Sequence, residues 1–394
     1  MEWLLPVVAV LVLLACVAVL AVDHRVRKRA REVPRSSPGA WPRVSVIVPV
    51  TGTTQGMASC LMSVLLQDYP SHEVVFVTRG HDEEAVTLIR GLIQERGIRG
   101  YSPCRHVVSG DATACGQKNH NLLAGIASVS DEQGVFAFFD ASHVAPSQWL
   151  KLLVGPIARN EAAVTTGFHH VLPGDSKVAT LGRAVTVLIL HRLREISRLT
   201  QPWGGSTAIK RSVFEELKVG ELWATNVVDD VSLGVRLKRA GIKAKPLPCA
   251  DIFTPLPSES LTGWSDWLTR QWLYLKFCFP GSWVMAGIMV HFFAALLLAA
   301  SMWCFAALMG FASLGATLPA LSLLLFVCVV GEALRAHHPN PGPRLRWLAA
   351  LHATVFMGCF CHMRCWFARE IHWRRISYRV RWGGRVEEIR EMES

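Results

Sequence analysis

The chain has 394 residues, of which 51% are hydrophobic and only 18% charged, with a formal net charge of +11. It is too apolar for an ordinary soluble domain, and its length holds one catalytic-size domain plus membrane segments. The basic residues cluster beside the apolar segments instead of spreading along the chain, which points to an anionic membrane surface and away from nucleic acid.

The first predicted element, Trp3 to Val22, is an uncharged run of 20 residues. At about 1.5 Å per residue it crosses about 30 Å of hydrocarbon. No Lys or Arg precedes it, and six follow between Asp23 and Arg35. A cleavable signal peptide carries its charge in front, so this order predicts an uncleaved anchor over residues 1–22 with its amino end outside. Residues 23–42 then form a basic, proline-containing linker.

Residues 43–260 read as an α/β domain. Val44-Ser-Val-Ile-Val-Pro-Val50 is a short β-branched run of the kind that forms a buried strand. A helix over Met57–Leu66, a strand over Glu73–Val77, a helix near Glu83–Arg96, a strand near His106–Val108 and a helix near Asn119–Ser130 follow. The strand Val135-Phe-Ala-Phe-Phe139 then runs straight into Asp140. Such alternation predicts a Rossmann-type, mostly parallel sheet that binds ligands beyond the carboxyl ends of its strands. Neither GxGxxG nor GxxxxGK[ST] is present.

Residues 261–283 follow, and within them Trp264–Lys276 carries three tryptophans, a tyrosine and basic side chains, the composition of an interfacial helix. From Phe277 to Gly331 there are 55 residues without a formal charge. One helix of that length would be about 80 Å long, so a hairpin is predicted, Val284–Leu308 and Leu314–Gly331, turning near Gly310, Ser313 and Gly315. Trp347–Met363 closes a membrane module over 284–367. If this third segment spans, the basic tail over 368–394 lies outside; seven arginines against one acid between Arg364 and Arg385 favour the cytoplasm. The expectation is an interfacial or re-entrant third segment. Seven of the eleven cysteines lie in or beside apolar segments and no CxxC occurs, so reduced thiols without metal are expected.

Four stretches carry chemistry. Asp140-Ala-Ser-His143 leaves a buried strand, where a carboxylate fits a divalent cation on a diphosphate, with Asp140 and Ser142 as donors. A strand-end Asp capping the next helix is the plainer alternative. Asp229 and Asp230 precede an amphipathic helix, a place that keeps a general base ionised; a plain helix cap is equally compatible. In Gln201-Pro-Trp-Gly-Gly-Ser, the glycines allow close backbone approach and Trp203 offers a flat face to a sugar, unless the stretch is only a turn before a strand. Arg270 and Gln271 of the interfacial segment can meet a pyrophosphate between domain and bilayer.

In this order the pieces resemble the ceramide glucosyltransferases and their bacterial relatives, among the inverting GT-A glycosyltransferases of the family 2/21 type. The resemblance runs from about Val44 to Ile389. It is carried by Val44–Val50, Gln67-Asp-Tyr-Pro70, His81-Asp-Glu-Glu-Ala85, Gly116-Gln-Lys-Asn-His-Asn121, Asp140-Ala-Ser142, Pro202–Arg211, Asp229-Asp230 and the tail His372–Gly384. It implies a GT-A-like domain with one amino-terminal and two to three carboxyl-terminal membrane helices. It implies Asp230 as catalytic base with Asp229 beside it, and donor contacts from Pro49, Asp82, Lys118, Asn119, Arg270, Gln271 and Trp272. Acceptor contacts would come from Trp203, Gly204 and Gly205, and a metal site from Asp140 and Ser142 holding Mg²⁺ or Mn²⁺. Two positions depart from the family. Gly80 stands where an Asp is usual, leaving Asp82 as the nearest carboxylate, and Gln271 stands in the usual Arg position.

The expected activity is transfer of a sugar, glucose foremost, from a UDP-sugar to a lipid hydroxyl of ceramide type at the cytoplasmic face. A hopanoid or polyprenyl-phosphate acceptor with a UDP-GlcNAc donor is the alternative within the class, and an inactive membrane scaffold of the same fold the alternative outside it.

Overall fold

A computed structural model describes residues 4–31, 38–81, 84–99, 102–194, 196 and 200–392. Helix α1 (Leu4–Arg31) joins the apolar run and the basic stretch in one rod of 28 residues. Val7, Leu11, Leu14 and Val17 on it are exposed, whereas Asp23 and Val26 near its end are buried. Only residues 38–42 of the expected linker are described, and they are irregular.

The expected alternation follows: β1 (Val44–Pro49), α2 (Met57–Leu65), β2 (His72–Thr78), α3 (Glu84–Arg99), β3 (Cys104–Val108), α4 (Gln117–Ala127) and β4 (Val135–Phe139). All five residues of β4 are buried, as a strand covered on both faces requires. Next come α5 (Trp149–Ala158), β5 (Val164–Thr166), β6 (His169–Pro173), α6 (Val178–Arg194), β7 (Ser206–Lys210), α7 (Arg211–Glu216), α8 (Val219–Trp223), α9 (Asp230–Arg239), β8 (Lys245–Pro246) and β9 (Ile252–Leu256).

Seven strands form the main sheet in the order β3-β2-β1-β4-β7-β5-β8, while β6 and β9 pair on their own. In the main sheet β7 alone runs against its neighbours; every other pairing is parallel. Period-two alternation splits the core into two layers. Val46 and Val48 pack with Leu61, Leu65 and Trp149 on one face, and Ile47 packs with Leu122, Phe138 and Trp223 on the other.

The membrane module begins with α10 (Leu261–Cys278), capped by Ser260, whose hydroxyl accepts from Gly263 N. Its Trp264 ring lies so close to α6 that a Cβ on Gly182 would overlap it. Helices α11 (Pro280–Leu308) and α12 (Leu314–His337) form the predicted hairpin. Gly310 turns it at φ +83°, and Ser313 caps α12 through Ala316 N. A third helix, α13 (Arg344–Cys365), is continuous. Each of these three is long and apolar enough to cross a membrane.

They differ in surroundings. In their most apolar windows α11 is 17% and α12 22% buried, against 44% for α13. Arg346 of α13 reaches Ser176 O, Thr354 reaches Gly182 O, Cys361 meets Ser265, and Arg364 pairs with Asp266. So α13 lies along α6 and α10 from end to end. The lower end of α1 joins that of α12, where Asp23 pairs with both His337 and Arg27.

The expected basic tail is in fact an antiparallel sheet of β10 (Glu370–Trp373), β11 (Ile376–Val380) and β12 (Val386–Glu391). Its arginines are partly neutralised within the sheet: Arg390 pairs with Glu388, and Arg379 and Arg381 with Glu387. Buried Lys276 fastens it, its ammonium donating to the carbonyls of Cys365, Trp366 and Ala368 at 2.6–3.0 Å. Those carbonyls end α13, where a cation also favours the helix dipole. Lys276→Met keeps the bulk and removes the donors. It should destabilise the tail by about 3 kcal/mol, the order of stranding buried polar groups. Limited proteolysis should then release the segment after Cys365 faster than in the wild type; unchanged cleavage would show that Lys276 does not hold it.

Candidate active site

Asp140 follows β4 directly, at the carboxyl edge of the sheet. The antiparallel register pairs Phe139 with Ser206, so the loop entering β7, with Trp203, Gly204 and Gly205, is set beside Asp140. Lys118 stands in the first turn of α4. Asp229 and Asp230 open α9, and the segment leading to them is tied to α4 at Gly116 N–Asn226 O and Asn119 Nδ2–Asn226 O, both 2.9 Å. On its other side Val227 N donates to Gly384 O of the tail.

These ties bring four charges together. The Lys118 ammonium lies 2.8 Å from Asp140 Oδ1 and 3.1 Å from Asp229 Oδ2. Asp230 Oδ2 accepts from Gly204 N at 3.1 Å and Oδ1 from Val231 N at 2.6 Å. A Cβ on Gly204 would overlap the Asp229 carboxylate and the Lys118 ammonium, which is the steric reason for glycine there.

The charges are strongly perturbed. Burial would depress Lys118, but the carboxylates of Asp140, Asp229 and Asp230 outweigh it and hold it well above the usual range. Burial would raise Asp140; Lys118 and His143 override it and hold it well below the carboxylate range. Asp230 is pushed up to about 6, first by burial and then by the negative charge of Asp229, against the pull of Lys118. A carboxylate in this range is ionised at neutral pH and still basic enough to take a proton. Three carboxylates around one ammonium leave an excess of negative charge, and that donor set suits a hard divalent cation.

The other expected residues divide. Pro49 ends β1 at the same sheet edge. Ser142 is exposed two residues beyond Asp140. Asn119 is fully buried and spends its amide on the Trp223 and Asn226 carbonyls, so it braces the segment leading into α9. Arg270 on α10 is half-buried, and its charge is felt at Tyr274 together with those of Asp230 and Asp229. Gln271 bonds within its helix to Trp267 O. Trp272 packs edge-on to His362 of α13, joining α10 to the membrane module. Trp203 has one face covered by His169, with ring centroids 4.4 Å apart, so that face is not open to a sugar. Asp82 lies outside the described residues.

Further residues border the site. Tyr378 of the tail accepts Gln117 N at the start of α4, and a cavity of about 320 Å³ lies between Arg79, Asp111, Gln117, Tyr378 and Glu391. A larger cavity, about 440 Å³, is lined by Lys177, Glu259 and Leu261 and contains none of the four charges. Away from these, the partly buried carboxylate Asp251 faces His191 at 2.7 Å and His170 at 3.5 Å. Arg192 donates to His191 Nδ1, and guanidinium cannot accept, so His191 carries its proton on Nε2, towards Asp251. The trio is not closed: His170 Nδ1 is buried without a hydrogen-bond partner among the described residues, and the three side chains converge closely enough to hold a metal ion.

The sequence matches Glycosyl transferase family 21 over residues 7–386. The chain belongs to this family, the ceramide glucosyltransferase family. It is therefore a sugar-transferring enzyme with a GT-A-like domain. Among solved structures it is similar to the mannosyltransferase PcManGT from Pyrobaculum calidifontis in complex with GDP-Man and Mn²⁺. The TM-score is 0.46 and the identity 16%, over 91% of this chain and 99% of that one. It is also similar to GalNAc-T7 with UDP, GalNAc and Mn²⁺, with TM-score 0.40 and 15% identity over 61% of this chain and 49% of that one. No curated protein matches the sequence.

The raised Asp230 is directly measurable. In an infrared titration of the ligand-free protein, a carboxyl band should grow as pH falls through about 6 and be missing in Asp230→Asn. If every Asp230-dependent band titrates near 4, the carboxylate is not perturbed as its burial requires.

Proposed function

We propose that this glycosyltransferase moves a hexose, glucose foremost, from a UDP-sugar to the hydroxyl of a ceramide-like membrane lipid, with inversion at the anomeric carbon. The observation carrying this proposal is Asp230: a half-buried carboxylate raised to about 6, oriented by Gly204 N, beside Lys118 and Asp140. Asp230 takes the proton of the attacking hydroxyl as that oxygen bonds to the sugar. Lys118 stays protonated throughout and steadies the negative charge that develops on the leaving diphosphate. Asp229 holds Lys118 in place and keeps Asp230 basic. Arg270 extends the positive field from the interfacial helix.

Asp140 and Ser142 are the residues that would hold Mg²⁺ or Mn²⁺, which when bound neutralises the diphosphate and eases its departure. The cavity beside Arg79 and Tyr378 suits the nucleoside end of the donor, because it lies at the carboxyl edge of β2 and β3. An inactive scaffold has no use for a partly buried cluster of three carboxylates and an ammonium, which destabilises the fold unless it binds something.

The lipid acceptor is supported by position. Helices α1, α11 and α12 span in this proposal, while α13 rests at the interface because it lies along α6 and α10 throughout. Both the catalytic domain and the tail sheet then stand on the cytoplasmic side, where the basic residues after Val22 also belong.

Asp230→Asn should lower transfer by at least about a hundredfold, the low end for loss of a general base, with donor binding nearly unchanged. Turnover near the wild-type rate would move the base to Asp229. Incubating the detergent-purified protein with labelled UDP-sugars and mixed lipids identifies the pair, and excess chelator should abolish the product. A labelled hopanoid or polyprenyl phosphate would replace the ceramide assignment.

Topology has its own test. Epitopes after Ser394 and at the exposed turn of Asp131 and Glu132 should be reached by antibody only after cells are permeabilised. Staining of either in intact cells would overturn the cytoplasmic placement.

A further inference from the structure

Three side chains that the proposed reaction does not use meet where α6 ends. His191 lies in the last turn of α6, His170 in β6, and Asp251 directly before β9. Asp251 Oδ2 is 2.7 Å from His191 Nε2 and 3.5 Å from His170 Nε2. One ligand atom from each of the three falls within 4.8 Å of the other two. The second Asp251 oxygen, Oδ1, is held from outside the group and accepts from Phe168 N at 3.0 Å.

The group is incomplete without a further ligand. His170 Nδ1 is buried and meets no hydrogen-bond partner among the described residues. The same holds for Nε2 of His338, which is 5% exposed and stands edge-on to His170. Buried nitrogens are rarely left so unless a water or an ion completes them. Side-chain exposures of 13% for His170 and 12% for Asp251 leave an ion a way in. Ligands about 2.1 Å from a tetrahedral ion stand about 3.4 Å apart, so the gap between His170 and Asp251 already suits one, while the His191 contact has to open. Two imidazoles and a carboxylate, with a fourth position left to water, favour Zn²⁺ over Mg²⁺ or Ca²⁺.

We propose that His170, His191 and Asp251 bind a structural Zn²⁺ that ties β6, the end of α6 and the start of β9 together behind the Trp203 loop. Phe168 and His169, which join this group to that loop, both pack on the Trp203 ring, so the tie stiffens the wall on which Trp203 rests. The ion is separate from the cation proposed at Asp140 and does not depend on it.

One contact opposes binding. Arg192 donates to His191 Nδ1 at 2.7 Å. An ion on Nε2 takes the place of the proton there, so the neutral ring must carry its proton on Nδ1 and the guanidinium must turn away. Its positive charge also repels a cation. Arg192 therefore lowers the affinity of the site without belonging to it.

The test uses the full-length protein in detergent, stripped with chelator and titrated with Zn²⁺ against a chromogenic indicator. His170→Gln removes an imidazole whose Nδ1 has no bond to lose, and Asp251→Asn keeps an acceptor for Phe168 N. Loss of an outer partner commonly costs about 10–100-fold in metal affinity, so loss of a ligand should weaken Zn²⁺ binding at least about a hundredfold in either variant. Arg192→Gln should bind Zn²⁺ about tenfold more tightly than the wild type. Asp140→Asn should leave this affinity unchanged. X-ray absorption of the wild-type zinc complex should show nitrogen and oxygen neighbours at about 2.0–2.2 Å, with scattering from imidazole rings.

Equal Zn²⁺ affinity in the wild type and both ligand variants would overturn the site, and so would an Arg192→Gln that binds no tighter. A zinc spectrum without imidazole scattering would overturn it whether or not the variants fold. Zn²⁺ binding lost in Asp140→Asn and kept in His170→Gln would also overturn it, by placing the ion beside Lys118.

Discussion

The architecture of the site depends on one ammonium group. Lys118 is held between Asp140 and Asp229 with Asp230 beside them. Carboxylates this deeply placed are tolerable only where a cation and oriented donors compensate them. Every element that supplies one of the four is accordingly tied to another. Gly116 and Asn119 bind α4 to the segment before α9, and Gly384 of the tail holds that segment from the far side. The antiparallel β7 delivers Gly204 against Asp230. Loosening any one of these would separate charges that need each other.

The membrane elements serve the same arrangement. Helices α6, α10 and α13 form a floor in which Trp264 fills the space left by Gly182, and α13 lies along the other two. Arg270 and Tyr274 rise from that floor into the field of the acidic pair. The lipid acceptor we propose, anchored by its chains in the bilayer, would need to lift only its polar end to reach the sheet edge.

Much of this was legible in the sequence, for local reasons. Val44–Val50 and Val135–Phe139 are short runs of branched and aromatic residues, and both are strands ending at the site. The acidic pair starts a helix because its apolar residues, Leu233 and Leu237, lie on one face. The hairpin followed from the length of uncharged chain. The tail was not legible: β11 reads Ile-Ser-Tyr-Arg-Val, and its arginines suggested a solvated basic segment, whereas Tyr378 is buried against α4. Nor was the buried pairing of His143 and His169 through Thr254. It joins three segments separated by 111 and 85 residues, and no spacing along the chain records such a meeting. Trp203 misled in a further way, since an aromatic beside glycines looks available for stacking when a histidine already occupies its face.

The docking of the tail has a consequence for how the enzyme comes into being. Tyr378 meets Gln117 across 261 residues of chain, and Gly384 supports the strandless segment that carries Asp229 and Asp230. On a ribosome, the central sheet and all the membrane helices emerge before those residues do. Loop-closure cost falls on a late step, when β11 and β12 leave the exit tunnel. The nascent protein is therefore inserted, anchored and largely folded while its acidic pair is still unsupported. Support for the acidic pair thus comes later in synthesis than every described helix.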